Sequence, residues 1–290
     1  MSERMESAHA YSQSEVHLSA WNLADRDRRE TQFDLLRDDF NLWFDEAVRR
    51  GGLDTHPATA AWRALDVGCG RGQFAREILA RYPGAHVTAF DLDADQVADA
   101  AARFGGPRLR FAIHDACQPL PADLAGDGFD VVVAWMVLLW VPDKVAMLRH
   151  LAAALRPGGV VLLGNVPRGF FQHPHPTVSR LFTAGQEALR RDGAVEFTDQ
   201  LDGHLREVGL EPLASVRPRF PVGGATAWGQ RWWRHWLAAL TVARPAIVDV
   251  HRLMDGEEFD GNLRALAPQS MVDQPGHFDH LYTLACKPLH

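Results

Sequence analysis

Between Trp62 and Asn165, short and nearly continuous apolar runs alternate with stretches whose apolar residues recur every three or four positions. The first pattern suits strands buried on both faces, the second amphipathic helices. Trp62-Arg-Ala-Leu-Asp-Val67 predicts a strand, residues 73–82 a helix closed by Pro83-Gly84, and residues 86–90 a second strand ending at Asp91. A helix over Ala94–Phe104 and a strand over Leu109–Ile113 follow. After a loop containing Pro119, Pro121, Gly126 and Gly128 comes a strand over Phe129–Trp135. Residues 144–155 predict a helix closed by Pro157-Gly158-Gly159, and residues 160–165 a fifth strand. Strands alternating with helices imply a mostly parallel sheet with helices on both faces, an α/β fold.

The flanks differ from this centre. Phe33, Leu36, Phe40, Trp43, Phe44 and Ala47 predict one amphipathic helix over 28–50, stopped by Gly51-Gly52. Beyond Val166 lies a loop of aromatics, prolines and histidines over 167–176. Helices are expected at 177–191, 199–208, 227–243, 246–254 and 256–266, an extended stretch at 211–220, and a last strand over 278–287. Trp228, Trp232 and Trp236 recur every fourth residue, so they share one helix face.

Composition narrows the chemistry. The 290 residues are 47% hydrophobic, ample for a core, and 37 acids against 30 bases leave a net charge of −7. Residues 1–60 alone hold 7 arginines and 12 acids. An acidic chain without a basic run is poorly suited to nucleic acid, whose phosphates dominate such binding. Only Lys144 and Lys287 are lysine, so no Gly-Lys-Ser/Thr phosphate loop exists and Schiff-base chemistry has few candidates. Cys69, Cys117 and Cys286 are odd in number and widely spaced, which suits a reducing compartment. The apolar run over 131–141 stops at Pro142-Asp143, too short to cross a bilayer, and the N-terminus has no signal-like stretch. The expectation is a cytoplasmic protein with neither membrane nor nucleic-acid partner.

The strongest local signal is Leu65-Asp-Val-Gly-Cys-Gly-Arg-Gly72, between a predicted strand and a predicted helix. A chain reversing there needs positive φ, and a ligand lying on bare backbone needs missing side chains. The next helix offers unpaired N–H groups and the positive end of its dipole. Gly68, Gly70 and Gly72 are spaced Gly-x-Gly-x-Gly rather than the Gly-x-Gly-x-x-Gly of dinucleotide enzymes. That disfavours a nicotinamide cofactor. Asp91, ending the second strand, stands where a carboxylate accepts from ribose hydroxyls.

This ordered series resembles the class I S-adenosylmethionine-dependent methyltransferases, over roughly residues 61–166. Beside the glycine turn it comprises Val87-Thr-Ala-Phe-Asp-Leu92, His114-Asp115-Ala116, Phe129-Asp-Val-Val-Val133 and Leu155-Arg-Pro-Gly-Gly159. The resemblance implies a Rossmann-like seven-stranded sheet whose last strand, over 278–287, is antiparallel. It implies that Asp66 and the backbone around Gly68, Cys69, Gly70 and Gly72 hold the methionine part of S-adenosylmethionine. Asp91 would bind the ribose, Leu92 would lie on the adenine, and Asp115 with Ala116 would meet the adenine edge. Trp135 and Met136 would lie near the sulfonium. Where many small-molecule members carry a histidine pair, this chain has Leu139-Trp140, an apolar wall. The Asn-Pro-Pro-Tyr/Phe motif of base methylation is absent after the fourth strand.

The chain is expected to divide into an N-terminal helical extension or lid over 1–60, in which Trp21 or Tyr11 touches the cofactor, a core over 61–223 plus 277–290, and a helical insertion over 224–276 that caps the acceptor side. The expected reaction is in-line methyl transfer to an O or N atom of a small organic acceptor, with S-adenosylhomocysteine as product. A specialised metabolite of a bacterium fits the lysine-poor composition. His173 and His175, after the fifth strand, are the candidate general bases. Trp140, Phe170, Phe171 and Trp232 are the candidate acceptor-binding residues. No metal is expected, and the chain reads as a monomer or homodimer. The alternatives are a cofactor-binding protein that does not methylate and a nucleic-acid or protein methyltransferase.

Overall fold

In a computed structural model of the chain, the described residues are 26–55, 61–191, 196–222, 226–266 and 276–289. Their contacts group them into two compact units. One holds residues 37–55, 61–170, 196–219 and 279–289; the other holds 26–36, 171–191, 220–222, 226–266 and 276–278. Residues 171–191 therefore group with the helical segment near the C-terminus, whereas a boundary at 223 would have left them with the core.

The first unit is built on a seven-stranded sheet. Its strands are β1 (Trp62–Val67), β2 (Ala85–Asp91), β3 (Leu109–Ile113), β4 (Phe129–Trp135), β5 (Leu155–Asn165), β7 (Glu211–Val216) and β10 (Leu281–Cys286), in the order β3-β2-β1-β4-β5-β10-β7. β10 pairs antiparallel with both β5 and β7, and the other pairings are parallel. Val131, Val132 and Val133 are all fully buried, so β4 is covered on both faces. Each such side chain contributes roughly 1.5–3 kcal/mol. One face carries the C-terminal part of α1 (Arg26–Arg50), through Phe40, Phe44, Ala47 and Val48, together with α2 (Gln73–Arg81), through Ala75 and Ile78. The other carries α5 (Lys144–Ala154) and α7 (Leu201–Glu207), through Met147, Leu148, Leu151, Leu201 and Leu205. α3 (Ala94–Phe104), capped by the Asp93 side chain, lies between β2 and β3 in sequence, and a short α4 (Ala122–Ala125) precedes β4.

Three expectations about the strands are corrected. Pro157-Gly158-Gly159 does not end the helix outside the sheet. It forms an irregularity inside β5, where Phe129 faces Leu155 but Val131 faces Val160, and Gly158 supplies the positive φ of 77°. The extended stretch over 211–220 breaks at Pro218 into β7 and β8 (Arg219–Val222). The last strand over 278–287 is two strands: β9 (Gly276–Asp279) leaves the main sheet, and β10 begins at Leu281. At the break the Asp279 N–H donates to Phe170 O and the His280 N–H to Pro218 O. The buried Asp279 carboxylate accepts from Arg217 Nε at 3.1 Å and Arg219 Nε at 2.9 Å.

In the second unit β6 (Phe171–Gln172) pairs antiparallel with β9, with β8 on its other side. Around this small sheet lie α6 (Pro176–Arg191), α8 (Ala227–Arg244) and α9 (Gly256–Ala265). Thr226 caps α8 by accepting from the Gly229 N–H. Trp232 and Trp236 stack at 6.0 Å, and Phe278 lies 5.1 Å from Trp232. The helix expected over 246–254 is one π-helical turn at Pro245–Val250.

Candidate functional site

The glycine spacing has a direct conformational cause. After β1 the chain places Gly68, Gly70 and Gly72 at φ of 66°, 51° and 79°, so every second residue is left-handed. Two of them are also demanded by neighbours. A Cβ on Gly68 would stand 2.4 Å from Val137 Cγ2, and one on Gly72 2.7 Å from Phe111 Cζ. At Gly70 the nearest atom is Gln96 Oε1 at 3.3 Å, so there the backbone conformation alone asks for glycine.

Asp91 ties this turn to the end of β2. Its Oδ2 accepts from the Gly70 N–H at 2.8 Å and its Oδ1 from the Asp93 N–H at 3.0 Å. Leu92 beside it is 43% exposed, an apolar side chain left at the carboxyl end of the sheet. After β3, Asp115 Oδ1 accepts from the Cys117 N–H at 2.8 Å, and Asp115 and Ala116 are half-buried.

Asp66 is the electrostatic centre. Its carboxyl is buried and accepts from the Ala75 N–H in the first turn of α2, while Oδ2 has no partner. Burial, reinforced by Asp91, pushes its pKa up to about 8. Burial likewise pushes the Cys69 thiol well above its usual range, so it is inert at neutral pH. A cation offered to Asp66 Oδ2 would satisfy an orphaned oxygen and restore the carboxylate. The amino group of a bound S-adenosylmethionine has that character, and the cofactor's ribose diol and flat adenine match Asp91 and Leu92. The residues present fit the cofactor.

On the same face of the sheet, β4 ends at Trp135, and Met136 follows with a strained φ of 60°. The Met136 N–H donates to Gly164 O at 2.7 Å. The Trp135 indole stacks on Tyr282 at 4.9 Å and meets Phe40 at 5.3 Å and Phe74 at 5.6 Å. Gly164 makes this possible, because a Cβ there would lie 2.5 Å from Trp135 Cδ2. Buried Trp135 Nε1 and Tyr282 OH have no hydrogen-bond partner among the described residues. On α1, burial and then Asp38 raise the Asp39 carboxyl to about 6.

Residues 65–161 match the family model of a methyltransferase domain. Over 174 residues the chain is 32% identical to the ubiquinone biosynthesis O-methyltransferase of Xanthomonas euvesicatoria pv. vesicatoria, covering 57% of this chain and 69% of that one. The chain belongs to the class I S-adenosylmethionine-dependent methyltransferases. It is 33% identical over 129 residues to trans-aconitate 2-methyltransferase of Methylobacterium radiotolerans, covering 44% of this chain and 47% of that one. To 27-O-demethylrifamycin SV methyltransferase of Amycolatopsis mediterranei it is 36% identical over 164 residues, 54% of this chain and 56% of that one. The chain thus spans about half the length of most of these curated relatives. Among solved structures, a candidate methyltransferase from Bacillus halodurans shares the fold with a TM-score of 0.53 at 18% identity, over 84% of this chain and 99% of that one. The 4+2 cyclase SpnF does so with a TM-score of 0.51 at 21% identity, over 85% and 80%.

The remaining candidates of this methyltransferase-family chain fall in different places. Trp140 follows β4 and is 39% exposed, whereas Phe170 is buried at the end of the sheet unit. Phe171, Trp232 and both histidines belong to the second unit. There Phe171 stacks on Phe182 at 3.6 Å, and Trp232 is fully buried. His173 is buried, its Nδ1 accepts from the His175 N–H at 3.0 Å, and its ring lies 5.7 Å from Trp233. His175 is half-buried. No group of three or more histidine, cysteine or acidic side chains among the described residues is arranged to hold a metal. No described helix is long and apolar enough to cross a membrane. Trp21 and Tyr11 lie outside the described residues. Asp39, Gly164 and Tyr282 were not singled out from sequence. Only Gly164 left a signal there, as a lone glycine inside an apolar strand, which often marks a close approach.

Proposed function

We propose that this chain transfers a methyl group from S-adenosylmethionine to an O or N atom of a small organic acceptor, releasing S-adenosylhomocysteine. The observation that carries the reading is the orphaned, buried Asp66 oxygen beside a glycine turn that Asp91 ties to β2. Asp66 and the backbone at Gly68, Cys69, Gly70 and Gly72 would hold the methionine end. Asp91 would accept from the ribose hydroxyls, Leu92 would cover the adenine, and Asp115 with Ala116 would meet its edge. When bound, the cofactor supplies a methyl carbon already activated by positive sulfur. Trp135 and Met136 would lie beside the methionine and sulfonium, and aligning the acceptor with the methyl carbon is the chief task in an in-line displacement. His173 and His175 stay the proposed bases for an acceptor that must lose a proton.

Relatives acting on trans-aconitate, on a demethylrifamycin and in ubiquinone biosynthesis support a small-molecule acceptor, and a specialised metabolite in a bacterial cytoplasm is consistent with them. The fold likeness to a cyclase leaves room for the second reading, a cofactor-binding protein that does not methylate. Calorimetric titration with S-adenosylhomocysteine tests the first step. Asp91→Ala should weaken binding about ten-fold or more, as loss of a charged hydrogen-bonding partner does; unchanged affinity refutes the ribose assignment. Isotopic methyl transfer into metabolite extracts separates the two readings.

A further inference from the structure

Three side chains on the sheet face covered by α1 and α2 end in buried polar atoms with no hydrogen-bond partner among the described residues. They are Asp66 Oδ2 on β1, Trp135 Nε1 on β4 and Tyr282 OH on β10. Their strands follow the sheet order β1-β4-β5-β10. The cofactor reading accounts for Asp66. It does not account for Tyr282, two strands beyond β4. A buried donor left unmade costs roughly 1–3 kcal/mol, and native proteins rarely keep one without a use. Gly164 is the construction detail, since only a glycine on β5 lets the Trp135 ring lie flat across it to Tyr282.

The donor set narrows the ligand. An indole N–H can only donate, and a phenol donates and accepts. An oxygen atom satisfies both, whereas an ammonium group, all donors, leaves the indole unmade. Charge narrows it further. Burial first, and then the negative charge of Asp39, hold the Tyr282 hydroxyl protonated; Asp39 itself is raised by burial and then by its neighbour Asp38. Asp39 lies one helical turn before Trp43, whose ring is 5.8 Å from Tyr282. A carboxylate or phosphate ligand would enter against this field. A neutral hydroxyl would not.

We propose that Tyr282 and Trp135 bind the oxygen of a hydroxyl-bearing acceptor, a phenol, enol or alcohol, and that Asp39 selects this class against carboxylates. The proposal rests on the methyl-transfer reading and narrows its acceptor to oxygen. Tyr282 and Asp39 are specificity-determining residues in it, outside the cofactor's own contacts.

Tryptophan-fluorescence titrations with phenol, anisole and benzoate test it in wild type, Tyr282→Phe and Asp39→Asn. In wild type phenol should bind about ten-fold tighter than anisole or benzoate, the weight of one hydrogen bond. Tyr282→Phe should bring phenol within about two-fold of anisole, and Asp39→Asn should tighten benzoate about five-fold relative to phenol. The proposal is overturned if wild type does not separate phenol from the other two, including by binding none of them. It is also overturned if Tyr282→Phe keeps the separation or Asp39→Asn leaves the benzoate ratio unchanged. S-adenosylhomocysteine affinity, read by calorimetry in parallel, should be unchanged in both variants; a loss in Tyr282→Phe would assign that hydroxyl to the cofactor. If wild type fails to bind S-adenosylhomocysteine, the cofactor reading falls while the phenol titrations stand on their own.

Discussion

Replacing Asp66 by Asn should change how the stability of the cofactor-free protein depends on pH. The carboxyl is 1% exposed, and burial together with Asp91 moves its pKa from the ordinary 3.8 to about 8. The folded chain therefore holds this proton more tightly than the unfolded chain does. Stability from this group is fully present below about pH 3.8 and is lost as pH rises, until the folded carboxyl itself ionises near 8. The slope in that window is ~1.4 kcal/mol per pH unit, or at most about 3 kcal/mol between pH 5 and pH 7. The amide of the Asp66→Asn variant does not titrate. Melting curves at pH 5, 6, 7 and 8 should show the variant gaining on wild type as pH rises, by about 3–5 °C over two pH units for a chain of this size. Asp39, raised to about 6, also titrates in this range, but it is present in both proteins and cancels in the comparison. S-adenosylhomocysteine should reverse the order, because its amino group pairs with a carboxylate and not with an amide. A constant difference between the two melting temperatures from pH 5 to pH 8 would refute the argument.

Two substitutions probe packing. Gly164→Ala puts a Cβ 2.5 Å from Trp135 Cδ2 in a closed aromatic cluster. It should cost about 1–3 kcal/mol by overpacking and alter the near-ultraviolet circular dichroism of the tryptophans; an unchanged melt would mean the indole moves freely. Trp232→Ala empties a fully buried site beside Phe278 and Trp236, and denaturant titration should show a loss of about 3–5 kcal/mol. If that side chain instead only lined an acceptor pocket, stability would scarcely change.

What was legible in the sequence is what short-range physics controls. Strands β1 to β4 and helices α2, α3 and α5 fall within a residue or two of their expected bounds, because apolar period and turn residues act over a few positions. The glycine turn was legible for the same reason. Three left-handed residues must be glycines wherever the chain goes next, and Asp91 reaches Gly70 because consecutive parallel strands lie side by side. Tertiary structure decided the rest. Pro157-Gly158-Gly159 became part of β5 because the neighbouring strand pairs on both sides of it. The last strand broke at Asp279, where two arginines distant in sequence neutralise a buried carboxylate. Most of all, Trp135, Gly164, Tyr282 and Asp39 come together only because β10 inserts beside β5 and α1 lies over that face. Trp135 was singled out for the cofactor and Gly164 stands out as a lone strand glycine, but nothing in the segments of Tyr282 or Asp39 marks them, since partner and register are properties of the sheet and no local period encodes them.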